Sequence, residues 1–301
     1  MGVHGDKLKA LLSNNKLPQE DIPRVNEAID RYDEWITKMD EIDGKDKDNA
    51  VSEMVSLLNE YKYYIDFNFI FQDKNDFLYR SKGQHKTDNT VLEEFIPILV
   101  RKVIPIEQRL NIDIGSQTPV FSSLYFSTSI HEPVKTGAKV KAKDQDFSIS
   151  RKVYIKASFS EDMAKSASLN TNVGYVAAEI KSNLDKTMFQ EAIATSHDLK
   201  QAVSGSKYYL LCEYLDMPPI STDGTDIDEI MILRKAKRLG SQKRDPFSSY
   251  KGRLENMDFY SGFLKSHPFQ PDVFSRFITH IEEDIDTKSI DEDAVLELGY
   301  F

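Results

Sequence analysis

One acidic residue, Asp146, and a Glu-x-Lys triplet ending at Lys181 supply two carboxylates and an ammonium beside stretches that alternate apolar and polar side chains. Mg²⁺ takes oxygen ligands in near-octahedral geometry and keeps several waters, so one or two carboxylates plus a phosphate oxygen make a natural site for it. Asp146 and Glu179 fit as those ligands. A cation there polarises a phosphate and acidifies a water, while Lys181 positions the nucleophile and stabilises charge developing on phosphorus. Glu191, with Gln190 as the alternative, follows on the next segment, placed to hold the hydration shell of the metal. Asp146 is preferred to Asp144 because it directly precedes the alternating stretch.

This chemistry requires KDQDFSISRKVYIKASF and NVGYVAAEIKSNL to be neighbouring antiparallel strands, so that the start of the first lies beside the end of the second. Side chains alternate along a strand, so Glu179 and Lys181 then share one face while Ile180 points into the core. The D…ExK pattern by itself is common in a chain with 29% charged residues, where a solvated strand end with an ordinary ion pair is the plain alternative. Here the triplet ends the apolar run GYVAAEI, where a Glu without a role is expensive to bury. Other chemistries find little support. The six histidines are dispersed without metal-ligand spacing, and no phosphate-binding GxxxxGK[ST], no GxGxxG after a strand and no GxSxG turn occurs. Trp35, on an amphipathic stretch, reads as core.

The rest of the chain divides in two. Residues 1–75 read as a helical N-terminal region: LPQEDIPRVNEAIDRYDEWITKM and NAVSEMVSLLNEYKYYIDFNFIF place apolar side chains at i, i+3, i+4 and i+7 around the polar loop DGKDKD. Residues 76–301 read as a mixed α/β domain with a closing helix and an acidic tail. RSKGQHKTDN is expected to be a polar loop, followed by a helix over NTVLEEFIPILVRKVI with Asn89 or Thr90 as cap. From about residue 118 the period falls to two in VFSSLYFSTSI, DFSISRKVYIKASF, NVGYVAAEIKSNL, KYYLLCEYL and IDEIMILRK, all expected strands. Between the third and fourth lies a helix with Met188, Ile193 and Leu199, closed by Gly205. A mixed central sheet flanked by helices follows.

Composition sets further bounds. The single cysteine, Cys212, excludes a disulfide framework and fits a reducing cytoplasm; its own run, YYLLCEYL, makes it a small buried strand residue. No stretch approaches the roughly 18 apolar residues of a membrane span, and the N-terminus lacks an apolar leader, so a cytoplasmic protein without a membrane partner is expected. The net charge of −10 argues at face value against nucleic acid. The distribution of charge argues otherwise, because acid concentrates near both ends while two internal runs are basic. One, from Lys135 to Lys156, contains Lys141 and Lys143. The other contains Arg234, Lys235, Lys237, Arg238, Lys243, Arg244 and Arg253, and its Gly240, Ser241 and Pro246 suggest a loop projecting from the sheet. With Lys82 and Lys86 of RSKGQHKTDN, the candidates for phosphate contact are Lys82, Lys86, Lys141, Lys143, Arg234, Lys237, Arg238, Lys243 and Arg244. A basic run is more often a solvated face, but two of them flank the carboxylates.

KAKDQDFSIS, AAEIKSNLDKTMFQEA, YYLLCEYL and TDIDEIMILRKAKRLGSQKR, in that order and spacing, resemble the subunits of BbvCI-type Type II restriction endonucleases, of the PD-(D/E)xK nuclease superfamily. The resemblance covers roughly residues 80–260; its D…ExK core is generic, while LDKTMFQEA with IDEIxILR is more specific. It implies a restriction-endonuclease-like fold and Mg²⁺-dependent cleavage of double-stranded DNA at a short specific site by two similar subunits, as a homodimer or heterodimer. It matches Asp146, Glu179 and Lys181 to the catalytic motif and Glu191 to an acidic helix position, and assigns the second basic run to DNA contact. The alternatives are a repair or structure-specific nuclease on the same core, and a DNA-binding partner subunit without activity of its own.

Overall fold

Seven strands form one mixed sheet, and helices cover both of its faces in the computed structural model, which describes residues 2–106, 110–131, 136–286 and 292–299. Lys135 of the first basic run and residues 287–291 and 300–301 of the acidic tail lie outside the described residues. The N-terminal helices are α1 (Val3–Leu12), α2 (Ile22–Glu41) and α3 (Lys47–Tyr63), which continues as π-helical turns over Tyr64–Phe71. In α2 the residues Val25, Ala28, Tyr32, Trp35 and Met39 recur at three- and four-residue spacing and are all buried. Asp46 caps α3 by accepting from the Asn49 amide at 3.1 Å. Next come α4 (Phe77–His85) and α5 (Thr90–Val103).

The spine of the sheet is a long strand, β5 (Ala167–Leu184). On one side it pairs antiparallel with β4 (Phe147–Ala157), Phe147 standing opposite Ala178, and β4 in turn pairs with the short β1 (Asp113–Gly115). On its other side β5 meets two partners in succession. Its first half touches β2 (Thr118–Phe126) through Val120 and Asn172, and β2 forms a hairpin with β3 (Ala138–Gln145). Its second half pairs in parallel with β6 (Lys207–Leu215), which pairs in parallel with β7 (Glu229–Lys237). Gly174 allows the close approach of β2: a Cβ there would lie 2.6 Å from Val120 Cγ1.

One helix, α6 (Lys186–Ala202), covers one face of the sheet, burying Phe189, Ala192 and Leu199 against Leu210 and Cys212. The other face supports the larger core, in which Phe147, Ile149, Val176, Ile180 and Leu211 pack with α5, the N-terminal helices and α10 (Pro271–Asp286). This core is continuous across residue 75, so the N-terminal helices are a layer on the sheet. Between β7 and α10 lie α7 (Ser241–Arg244), α8 (Tyr250–Glu255) and α9 (Met257–Ser266); α11 (Glu292–Leu298) follows. The fully buried Trp35 and Cys212 are core residues as expected, Trp35 stacked on Tyr61 at 4.5 Å.

Two local expectations change, and one strand is unanticipated. RSKGQHKTDN is largely helix α4 instead of loop. The Lys-rich AKVKAKDQ is strand β3, in which Ala138, Val140 and Ala142 alternate with Lys139, Lys141 and Lys143. The second basic run is no single projecting loop, since Arg234, Lys235 and Lys237 belong to β7 while Lys243 and Arg244 end α7.

Candidate active site

The antiparallel pairing of β4 and β5 brings Asp146, at the turn entering β4, beside the end of β5. Asp146 Oδ2 accepts the Ile180 amide proton at 2.9 Å. Flanking Ile180, Glu179 and Lys181 share one face and pair directly, Lys181 Nζ lying 2.7 Å from Glu179 Oε1. Ile180 itself is fully buried in the larger core. From the next strand the Tyr208 hydroxyl donates to Glu179 Oε2 at 2.7 Å. The Glu179 carboxylate is thus fixed at both oxygens, and its side chain is only 15% exposed.

Tyr208, Glu93 of α5 and Asn89 just before that helix complete the centre, none of them among the sequence candidates. Glu93 is fully buried and raises the Asp146 carboxyl. Asn89 Nδ2 donates to Glu93 Oε1 at 3.1 Å and to the Ile180 carbonyl at 3.4 Å, and Gln117 Nε2 donates to Glu93 Oε2 at 3.2 Å. Asn89 precedes α5 but makes no side-chain cap; its amide ties α5 to β5. The register of β5 against β6 would identify Tyr208, whereas Glu93 carries no local signal because VLEEF reads as ordinary amphipathic helix.

Burial pushes the Asp146 pKa up to about 6, and Glu93 and Glu179 add to the rise against the opposing Ile180 amide and Lys181. Lys181 moves upward, because the hydrogen bond and charge of Glu179 and the nearby Asp146 outweigh its burial. It therefore remains an ammonium at neutral pH, a donor and charge stabiliser rather than a base. The oxygen donors Asp146 and Glu179 suit a hard divalent cation. Among the described residues no three His, Cys, Asp or Glu side chains form a metal-binding group. Two carboxylates completed by waters and substrate oxygen remain the fitting set.

The other candidates separate. Glu191 is exposed on α6, close enough to Lys181 to raise its pKa. Lys82, Lys86, Arg238 and Arg244 line one cleft together with Lys181, a cleft of about 480 Å³. Arg238 pairs there with Asp216 at 2.9 Å, and Arg244 Nε donates to the Leu239 carbonyl at 2.8 Å. Lys141 and Lys143 stand on β3 against α6, Lys141 3.6 Å from Asp198 and Lys143 bonded to Thr195. Lys237 and Lys243 are exposed away from that cleft, Lys243 over the Phe259 ring. Arg234 departs from the DNA-contact expectation. It is 5% exposed, bonded to Glu213 Oε2 at 3.0 Å and stacked over Phe269, because an irregularity of β7, with Lys235 at φ 47° and a register shift against β6, breaks the alternation and turns it inward beside Leu233. Arg253 is likewise buried, donating to the Phe71 and Phe247 carbonyls.

The acidic residues of the more specific resemblance motifs, Asp185, Asp228 and Glu229, are architectural. Asp185 of LDKTMFQEA caps α6 by accepting from the Met188 amide at 2.9 Å. Asp228 of IDEIMILR takes the Tyr208 amide and Lys200, each at 2.7 Å, while Glu229 takes Arg276 and His280 of α10, each at 2.6 Å. They lock the sheet around the centre without entering it.

No helix among the described residues is long and apolar enough to cross a membrane. No curated protein matches the chain. Among solved structures, a chain of an assembly described as the native BbvCI A2B2 tetramer at low resolution shares 19% identity and superposes with a TM-score of 0.55, over 87% of this chain and 96% of that one. The similarity confirms the restriction-enzyme-like α/β fold. A model of the Bpu10I restriction endonuclease family matches residues 84–301, most of the chain and all of the candidate residues Asp146, Glu179 and Lys181, and the chain therefore belongs to the Bpu10I restriction endonuclease family.

Proposed function

We propose that the chain is a subunit of a Type II restriction endonuclease that hydrolyses phosphodiester bonds of double-stranded DNA at a specific short sequence with Mg²⁺. The observation that carries this reading is the convergence of Asp146, Glu179 and Lys181 at one strand end, beside a cleft lined by Lys82, Lys86, Arg238 and Arg244. Asp146 and Glu179 would hold the cation, which when bound supplies Lewis acidity at the phosphate and activates a water. Lys181, kept protonated by Glu179, meets the negative charge that grows on the phosphoryl oxygens. Tyr208 fixes the second oxygen of Glu179 and so orients the first toward Lys181. Glu191, exposed beside Lys181, is placed to hold water in the outer shell.

Lys82, Lys86, Arg238 and Arg244, with Lys141, Lys143, Lys237 and Lys243 further out, contact phosphates. One such centre cuts one strand, so a duplex cut requires a second subunit, identical or different. The tetrameric description of the structural neighbour supports an assembly of several subunits. Digestion of a large plasmid by the purified chain with Mg²⁺, followed by sequencing of the ends, tests the reading. Discrete fragments with a common end sequence are expected, nicks alone if the partner is a different subunit. Random ends from the wild-type chain, or unchanged cleavage by Lys181→Ala, would refute it.

A further inference from the structure

The cleft beside Lys181 has a composition that phosphate contact alone does not explain. Its rim is cationic, with Lys82, Lys86, Arg238 and Arg244. Its walls are apolar and aromatic, with Tyr79, Tyr260, Phe263, Met188 and Leu239. Its deeper lining is polar and in part unpartnered. Asn89 Oδ1 and the Tyr214 hydroxyl are buried without a hydrogen-bond partner, and buried polar atoms of a native protein are seldom left so. The Asn89 amide cannot turn around to cure this. Its Nδ2 already donates to Glu93 Oε1 and the Ile180 carbonyl, both of which only accept, so Oδ1 is fixed as an acceptor. The same cleft is also lined by Glu213, whose Oε1 is 3.0 Å from Lys62 Nζ.

A volume of about 480 Å³ is far too small for a duplex. It falls within the roughly 300–1,000 Å³ of pockets that enclose single small ligands. Cations at the mouth, aromatic walls and acceptors at the base together match one nucleotide, with phosphate outward and an amino-bearing base inward. Enzymes that take a base out of the stack read it by hydrogen bonds to its edge and by contact with aromatic or apolar walls.

We infer that this cleft binds a single unstacked nucleotide carrying an exocyclic amino group, contributed by the strand being cut, next to the scissile phosphate that Lys181 attends. The inference rests on the proposed nuclease function and adds to it a specificity pocket. Asn89 and Tyr214 are its base-contacting residues. Asn89 couples its occupancy to the centre, because one amide touches both the Ile180 carbonyl of the catalytic strand and Glu93.

The test follows determination of the cut sequence. Duplexes carrying 2-aminopurine at one position at a time are bound to the full chain, with any partner subunit that cleavage requires, in the Lys181→Ala form with Mg²⁺ and in the wild-type form without it. A several-fold rise in fluorescence at one position beside the cut is expected, abolished by Leu239→Trp, which fills the cleft. Tyr214→Phe should lower kcat/KM on the target roughly three- to tenfold, about the worth of one neutral hydrogen bond, with an unchanged melting temperature. Discrete cleavage with no position brightening overturns the inference while leaving the nuclease reading intact. Saturable binding of free dAMP, dCMP or dGMP without brightening in DNA also overturns it, showing a mononucleotide site instead. If no DNA is cut at all, the failure lies with the nuclease reading.

Discussion

Two clusters of buried charge lie close together in this molecule, and they are balanced in opposite ways. In one, Lys62 and Arg234 meet Asp66 and Glu213: Lys62 Nζ is 2.7 Å from Asp66 Oδ2 and 3.0 Å from Glu213 Oε1, and Arg234 Nε is 3.0 Å from Glu213 Oε2. Two cations face two anions, and none of these side chains is more than 10% exposed. In the other, Asp146 and Glu179 share the ammonium of Lys181, and Glu93 is held only by the neutral amides of Asn89 and Gln117. The same residue types therefore make a self-neutralised joint between α3 and β6–β7 and, beside it, a centre that lacks positive charge. A divalent cation would supply what the second cluster lacks. Charge balance, more than burial, separates the structural cluster from the chemical one.

Breaking the balanced cluster should produce the largest effect. Glu213→Ala leaves Lys62 and Arg234 buried without their shared anion, and removing one partner of a buried pair costs about 3–5 kcal/mol. A fall of that size in urea denaturation is expected, a large share of the roughly 5–15 kcal/mol by which domains are stable. The unbalanced cluster should respond in the reverse sense. Lys181→Ala or Glu179→Ala should reduce cleavage by about 10²–10³ or more, the scale for loss of a group that meets transition-state charge, with melting temperature and specific DNA binding nearly unchanged. Asp146→Asn should reduce cleavage to a similar degree, and the exposed Asp144→Asn more weakly. A Glu179→Ala protein that unfolds while Glu213→Ala remains stable but inactive would exchange the two assignments.

The pH dependence sharpens the contrast. With its pKa near 6, Asp146 binds a proton more tightly in the folded chain than in the unfolded one, where about 3.9 is ordinary. Its favourable contribution is complete below pH 3.9 and is lost as the pH rises through 6. Asp146→Asn should therefore stabilise the cation-free protein at pH 7.5 and leave it nearly unchanged at pH 4. A cation must displace that proton, so the gain in melting temperature on adding Mg²⁺ should grow between about pH 5 and 7 and then level off. A Mg²⁺ effect that does not vary with pH would remove Asp146 from the ligand set.

How much of this was readable beforehand follows from what each signal depends on. Asp146, Glu179 and Lys181 were legible because strand alternation and one assumed pairing suffice to bring them together. Strand β3 was hidden because three alternating lysines made it look like a charge run, although Ala138, Val140 and Ala142 keep a period of two. Arg234 was misplaced for another reason: the irregularity of β7 at Lys235 that turns Arg234 inward beside Leu233 leaves no mark in a row of basic residues. Glu93, Asn89 and Tyr208 reach the centre from elements distant in sequence, and no local pattern reports that contact.

The smallest predicted effect distinguishes among the exposed cations. Lys82, Lys86, Arg238 and Arg244 share the cleft with Lys181, whereas Lys237 and Lys243 do not line it. DNA seated over Lys181 would bring its phosphates to the first group and leave the second at the margin. Each phosphate neutralised by a protein cation releases condensed counterion, giving a slope in log K against log salt of about −0.9 per contact. Lys86→Ala should therefore weaken binding about equally on target and non-target duplexes and reduce the slope by about one, while Lys237→Ala should change it by much less. An arginine that reads a base behaves differently: its loss should cost roughly 1–3 kcal/mol on the target alone and relax preference at one base pair. Arg238 is the cation to compare with Lys86, since its pairing with Asp216 presents the guanidinium in one orientation and planar guanidinium is the group suited to a guanine edge. Equal slopes for Lys86→Ala and Lys237→Ala would place the DNA path elsewhere on the sheet and separate this cleft from the duplex altogether.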